Sequence, residues 1–271
     1  MLTFPGSLGV IESKNTVEVL SIGNELLIGH TLDTNSNWLA RQLNTFGWSL
    51  QRITLVRDSL DSIPVGIVEA LERTPRLLVT LGGLGPTHDD MTLRGLSIAI
   101  RRPLVLNGRA LELIRKRYER MDEPMRLTQP RKKMAMLPRG AEPLPNPAGT
   151  APGVLVKIGQ TTLVSLPGVP REMKEIFKSS IIPILRSFGG YAPHQAYVNL
   201  VGIVESTLAP LLENAQRRFP NLYFKSHPRG RETATHSLIQ LHIYTVGGEK
   251  QGKINQALAF LVKGLTSQIE P

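Results

Sequence analysis

Three short β-rich segments, each parted from the next by one helix-like stretch, most narrow the folds open to this chain. Val17–Ile22 (VEVLSI) stops at Gly23 and reads as a buried strand, and Thr34 to Phe46 sets Trp38, Leu39, Leu43 and Phe46 at helical steps before Gly47. Leu50–Val56 alternates as a second strand. A helix capped by Ser59 then runs to about Arg73, with Ile63, Ile67, Ala70 and Leu71 facing inward. Arg76–Leu81 (RLLVTL) forms a third strand and passes at once into Gly82-Gly83-Leu84-Gly85-Pro86. Strand, helix, strand, helix, strand in that order implies a parallel sheet with helices on both faces, an α/β fold.

Further along, helices are expected near Met91–Ile100 and Arg109–Arg120. A Pro-rich passage, strands at Val154–Lys157 and Thr162–Leu166, and a helix over Val169–Arg186 follow. Gly189-Gly190 and Pro193 read as a linker. Beyond it the expected order is strand Ala196–Ile203, helix Glu205–Arg217, strands Asn221–Ser226 and Ser237–Val246, and helix Glu249–Leu265, a smaller α+β unit. The chain therefore divides into an N-terminal extension (1–15), a main domain (16–187) and a small domain (194–271).

Composition excludes several classes of function. The 271 residues contain no cysteine, which removes disulfide scaffolds, thiolate metal sites and cysteine nucleophiles, and fits a cytoplasmic protein. No stretch approaches the roughly 18 apolar residues of a membrane helix, and the start has no signal-peptide pattern, so no membrane association is expected. The 32 basic and 22 acidic residues give a net charge of +10, which favours polyanionic partners. The densest basic stretch, Arg109 to Lys133, also contains Glu112, Glu119, Asp122 and Glu123, and reads for the most part as a solvated helix face with paired charges.

The loops that follow the strands hold the chemistry. Gly82-Gly83-Leu84-Gly85-Pro86-Thr87-His88-Asp89-Asp90 leaves the carboxyl end of a strand, where α/β sheets bind ligands. Its glycines allow backbone N–H groups near an anion, and the next helix adds partial positive charge. Asp89 and Asp90 would repel a phosphate unless a divalent cation bridged them to it, so the loop suggests a metal–phosphate site. An ordinary turn with an Asp helix cap explains the loop alone equally well. Glu25 and Asp33 after the first strand and Asp58 after the second tilt the balance, because three successive strands then end in small or acidic residues that can converge on one edge. Asn146-Pro147-Ala148-Gly149-Thr150-Ala151-Pro152-Gly153 and Leu166-Pro167-Gly168-Val169-Pro170-Arg171-Glu172-Met173 are two more rigid loops; Pro170 and Glu172 suit a helix start. His30 and His88 read as loop residues and His227 as part of a turn, none as a ligand. No serine lies in a nucleophile-elbow context.

The set NELLIGHTLDTN, GGLGPTHDD, NPAGTAPG and LPGVPREM, in this order, resembles the N-terminal domain of the CinA family, within the molybdopterin-binding MoaB/Mog/MoeA-type superfamily. The resemblance covers about Thr16 to Leu185. The remainder resembles the KH-like domain that follows in the same proteins. The chain resembles the stand-alone form common in archaea, without the amidase domain of the longer bacterial proteins.

The resemblance implies a three-layer α/β/α molybdopterin-binding-like domain that hydrolyses ADP-ribose to AMP and ribose 5-phosphate with Mg²⁺, Mn²⁺ or Co²⁺. In the Mog-like branch it implies instead that molybdopterin is bound and adenylylated, with two aspartates matching Asp58 and Asp90. On that basis the catalytic set is Asp58, Asp90, Glu25 and Lys133. Asp58, Asp89 and Asp90 are the cation ligands. Gly82, Gly83, Gly85 and Thr87 cradle phosphate, and Asn35, Gly149, Gly168 and Pro170 shape the pocket for a nucleotide substrate. Two positions depart from the family pattern: Asn24, where relatives often have an acid, and Met134, where a glutamine commonly follows the lysine that Lys133 retains.

Related domains form dimers or trimers, so a homo-oligomer is expected. RNA binding through the KH-like domain is the reading from another class. It is not favoured, because no Gly-x-x-Gly loop joins a helix pair in residues 190–271 and the few aromatics there form no evident stacking platform.

Overall fold

The computed structural model describes residues 15–120, 128–189, 194–229, 237–245 and 251–269. The proposed extension 1–15, except Asn15, lies outside them, as do Asp122, Glu123, Arg126, most of the linker and the expected start of the last helix at Glu249. The chain divides near residue 190 into two compact units.

The larger unit begins with β1 (Thr16–Ile22), a four-residue helix α1 (Asn24–Leu27), α2 (Thr34–Thr45), β2 (Ser49–Val56), α3 (Ile63–Glu72), β3 (Leu77–Leu81) and α4 (Thr92–Ala99). It continues through β4 (Leu104–Leu106), α5 (Gly108–Glu119), α6 (Gln129–Lys133), β5 (Met136–Pro138), β6 (Glu142–Leu144), β7 (Gly153–Ile158) and β8 (Thr161–Leu166). It closes with α7 (Pro170–Ile176) and α8 (Ile182–Ser187). Six strands form one sheet in the order β2-β1-β3-β8-β7-β6. β2, β1, β3 and β8 run parallel, as the β–α–β order requires, and β7 and β6 add an antiparallel edge.

β1, β3 and β8 are buried along nearly their whole length, as central strands covered on both faces should be. One layer packs Ile63 and Ile67 of α3, Leu96 of α4 and Ile114 of α5 against Leu20, Leu78 and Leu163 of the sheet. In the other, Trp38 of α2 meets Phe177 edge-on, with ring centroids 5.2 Å apart.

Four sequence expectations need correction. The helix expected over 169–186 is broken by a π turn, Phe177–Ile181, between α7 and α8. Pro183 lacks the N–H that a continuous α-helix needs and its ring would strike the carbonyl four residues back, and the wider turn avoids both. α3 starts at Ile63, with Ser62 at its cap position, while Ser59 closes the turn before it by accepting the Ser62 N–H at 3.2 Å. The Pro-rich passage contains β5 and β6, whose three residues each are too few to display a period. α1 forms where only a loop was read.

The smaller unit comprises β9 (Gln195–Val201), α9 (Glu205–Arg218), β10 (Leu222–Pro228), β11 (Leu238–Thr245) and α10 (Gln251–Ile269). Its antiparallel sheet has the order β10-β11-β9. Leu208, Leu211 and Ala215 of α9 and Ile254, Ala257 and Leu261 of α10 pack on Ile239, Leu241 and Ile243 of β11, a core of its own. His227 is a correction too: it lies inside β10, opposite Gln240, and not in a turn.

Among the described residues no helix is long and apolar enough to cross a membrane. The basic helix face behaves as read, with Lys116 bound to Glu112 and Arg115 to Glu119 on α5.

Candidate functional site

The carboxyl ends of the parallel strands meet at one cleft of about 500 Å³ in the larger unit. Parallel strands place their loops on a common edge, so Gly23 after β1, Asp58 after β2, Gly82 after β3 and Gly168 after β8 arrive together.

The Gly-rich loop is set by sterics. Gly82 has φ +100°, and a side chain there would put its Cβ 2.4 Å from the Ile22 carbonyl oxygen. Gly83, at φ +64°, sits under the Thr92 hydroxyl, which donates to the Gly82 carbonyl at 2.7 Å. Only glycine allows both the backbone twist and the close approach. The Gly82 N–H donates to the Leu166 carbonyl at 2.9 Å, which ties the loop to β8. The Thr87 N–H donates to Asp90 Oδ2 at 2.9 Å, and the Thr87 hydroxyl lies 2.5 Å from both Asp90 Oδ2 and Asp89 Oδ1. Lys133, at the end of α6, reaches the same turn and donates to the Thr87 carbonyl.

Asp58 accepts the Met91 N–H at 3.4 Å. Burial pushes its pKa up to about 6, aided by the negative charge of Asp90, Asp89 and Glu25 and opposed by the Met91 hydrogen bond. Asp89 behaves in the opposite way: the Thr87 hydroxyl, its own backbone N–H and the charges of His88 and Lys133 hold its carboxyl below the usual range. Across the cleft Asn35 donates to the Gly168 carbonyl at 2.7 Å, while its Oδ1 is buried without a partner.

The structure brings Glu25, Asn35, Asp58, Gly82, Gly83, Gly85, Asp90, Gly168 and Pro170 to the cleft wall. It does not bring Thr87, Asp89, Lys133 or Gly149 there. Thr87, Asp89 and Lys133 hold the loop's outer turn. Gly149 lies behind the wall, where its missing side chain makes room for the Glu172 carboxylate.

Sequence reasoning missed one carboxylate of the cleft, Glu172, and left a second, Asp33, at its loop without a role. Glu172 lines the cleft from the first turn of α7, held by the Asn146 amide at 2.6 Å. Asp33 lines it too, accepting the Ser21 hydroxyl at 2.7 Å and the Ser36 N–H at 2.9 Å. The signal for Glu172 was present in LPGVPREM, but first-turn acids are common enough for helix stability alone to explain it.

The cleft thus has five carboxylates in its wall, those of Glu25, Asp33, Asp58, Asp90 and Glu172, and no Lys, Arg or His. Among the described residues no three acidic or imidazole groups are already arranged to enclose a metal ion. A divalent cation fits this donor set if a ligand's phosphate oxygens complete its shell, as is usual for Mg²⁺.

A mostly parallel sheet between helix layers, with a Gly-rich loop and carboxylates at the strand ends, defines a layered α/β domain. Residues 18–187 match the family model described as a "probable molybdopterin binding domain". A protein of Pyrobaculum arsenaticum is 41% identical over 94% of this chain and 96% of its own length. One of Aeropyrum pernix is 44% identical over 79% of each. The crystal structure of the CinA protein of Thermoplasma acidophilum, itself of unknown function, is similar with a TM-score of 0.58 and 38% identity, covering 62% of this chain and 98% of that one. The chain belongs to the molybdopterin-binding-domain family, and the resemblance read from its motifs holds.

Proposed function

We propose that the cleft binds the phosphate of a molybdopterin-type pterin and joins it to adenylate, a step of molybdenum cofactor assembly. The observation that carries this reading is the placement of Asp58 and Asp90 beside the Gly82–Gly85 turn, within the segment that matches the molybdopterin-binding family. In the transfer, a phosphate oxygen of the pterin attacks the α-phosphorus of ATP. The bond to the bridging oxygen breaks, and pyrophosphate leaves with the electron pair. Gly83, Leu84 and Gly85 supply backbone donors to the phosphates, since the N–H groups of Gly82 and Thr87 are already used by Leu166 and Asp90. Asp58 and Asp90 hold the divalent cation, which when bound neutralises phosphate charge in an otherwise acidic cleft. Lys133 braces the loop through Thr87. Asn35 Oδ1, buried and without a partner, is an acceptor for an N–H of the ligand.

A second reading, hydrolysis of ADP-ribose to AMP and ribose 5-phosphate, is favoured by the raised pKa of Asp58. A carboxylate with pKa about 6 is a better proton acceptor near neutrality than an ordinary one. Water attacks phosphorus, its proton passes to Asp58, and the bridging bond breaks, with Asp90 left to hold the cation.

Pyrophosphate release from ATP with molybdopterin, and AMP release from ADP-ribose, are measured in parallel with Mg²⁺, Mn²⁺ or Co²⁺ for wild type and Asp90→Asn. Pterin-dependent pyrophosphate release lost in the variant supports the first reading. AMP release without pterin supports the second, and neither product with any cation removes both.

A further inference from the structure

The strands of the smaller unit alternate, so one face of the sheet packs on α9 and α10 and the other carries Tyr197, His242, Tyr244 and Tyr223. The expectation that aromatics there form no platform is corrected by register, which sequence does not display. Tyr197 pairs with His242 and His242 with Lys225, while Tyr244 pairs with Tyr223, so rings far apart in sequence become neighbours. The Tyr197 ring lies parallel to His242 at 4.2 Å, His242 is 5.0 Å from Tyr244, and Tyr244 is 4.9 Å from Tyr223. Despite this stacking, Tyr197 remains 56% and Tyr223 43% exposed.

We propose that this face binds single-stranded nucleic acid, stacking unpaired bases on the Tyr197–His242–Tyr244–Tyr223 row and setting phosphates against Lys225 and Arg229. Three further observations favour this occupant. β9, β10 and β11 contain no Asp or Glu, so the face repels no phosphate, and its fixed charges are positive. Gln195, Asn199 and Gln240 alternate with the rings and keep further amide donors and acceptors for base edges: Gln240 accepts from the Arg229 guanidinium at 2.6 Å and donates to Asn199 at 3.4 Å, and Gln195 Oε1 lies 3.2 Å from His242 Nε2. Beside the rings, a hollow of about 430 Å³ is bounded by Tyr197, His227, Arg229, Gln240 and His242. Strands about 4.8 Å apart, with same-face residues about 6.8 Å apart along each, space the rings for successive splayed bases. A duplex keeps its base faces covered and cannot use them. None of these residues lines the cleft, so the inference stands or falls apart from the reading above.

The test uses the full chain and fluorescein-labelled single strands of about 12 nucleotides, RNA and DNA of one sequence, with duplex RNA as control, read by anisotropy at physiological salt. The expected result is saturable binding of the single strands, tighter than of duplex. RNA bound more tightly than DNA, or equally, supports the proposal, the first adding recognition of the 2′-hydroxyl. Tyr197→Ala weakens binding roughly 5- to 150-fold while Tyr197→Phe retains it. Lys225→Ala and Arg229→Ala each flatten the dependence on log salt by about 0.7. Unchanged circular dichroism establishes that each variant folds.

Absence of binding, equal affinity for duplex, or an unaltered affinity in Tyr197→Ala overturns the proposal. So does self-association abolished by Tyr197→Ala with no oligonucleotide bound, which gives the face to a second copy of the chain.

Discussion

Asp58 concentrates the chemistry of the cleft in one titratable group. Its pKa is raised from 3.8 to about 6 by burial, so the folded state holds the proton more tightly than the unfolded one. The sign follows: its contribution is favourable below pH about 4, declines between about 4 and 6, and is lost above that. Asp58→Asn is therefore expected to melt higher than wild type at pH 7.5 and level with it at pH 4, as thermal unfolding at the two values will show. If Asp58 accepts the proton from water, kcat/KM for ADP-ribose rises with pH through about 6, and the variant lacks that limb. A second residue-scale test lies at the opposite end of β1. Glu18, 4% exposed, takes two hydrogen bonds from Arg73, at 2.7 and 2.6 Å. Arg73→Met strands that carboxylate and should cost about 2–3 kcal/mol in urea unfolding, less than a fully buried pair because Arg73 is partly solvated; the double variant Glu18→Gln/Arg73→Met should recover much of the loss.

At the scale of elements, loops position the site and regular structure holds the loops. Gly149 shows this: a Cβ there would lie 2.1 Å from Glu172, so Gly149→Ala should expel the Glu172 carboxylate and weaken ligand binding in the cleft while leaving most of the stability. Isothermal titration beside a melting curve separates the two effects. Arg101, just beyond α4, has φ +53°, and Arg101→Gly should stabilise the fold by about 0.5–1 kcal/mol.

What the sequence made legible follows the same division. β1, β3 and β8 announce themselves because burial on both faces makes them β-branched and apolar for most of their length, with few polar residues such as Glu18, Thr80 and Ser165 between, and the Gly82–Asp90 loop because glycine has few other reasons to recur so closely. β4, β5 and β6, three residues each, show no period to read. The π turn depends on how Pro183 is accommodated, and the Tyr197–His242 stack depends on register. Glu172 was visible as a helix-start residue, but its place in the cleft depends on the fold of Asn146–Gly149, a long-range contact.

For the whole molecule, two cores separate two kinds of loss. Leu241→Ala, in the smaller core, should cost about 2–5 kcal/mol there and leave ligand binding at Asp58 and Asp90 unchanged. A denaturation profile read beside cleft titration will show whether they part. The charge is also unevenly placed. A chain of net +10 has lined its cleft with carboxylates alone, so its positive potential lies elsewhere. Added magnesium should then act with opposite sign at the two surfaces, recruiting phosphorylated ligands into the cleft while competing with the cations of the open sheet for a nucleic-acid backbone. If the cleft holds a cation with a phosphorylated ligand and the sheet holds a nucleic acid, as proposed, one metal titration followed at both will show binding rising at the first and falling at the second.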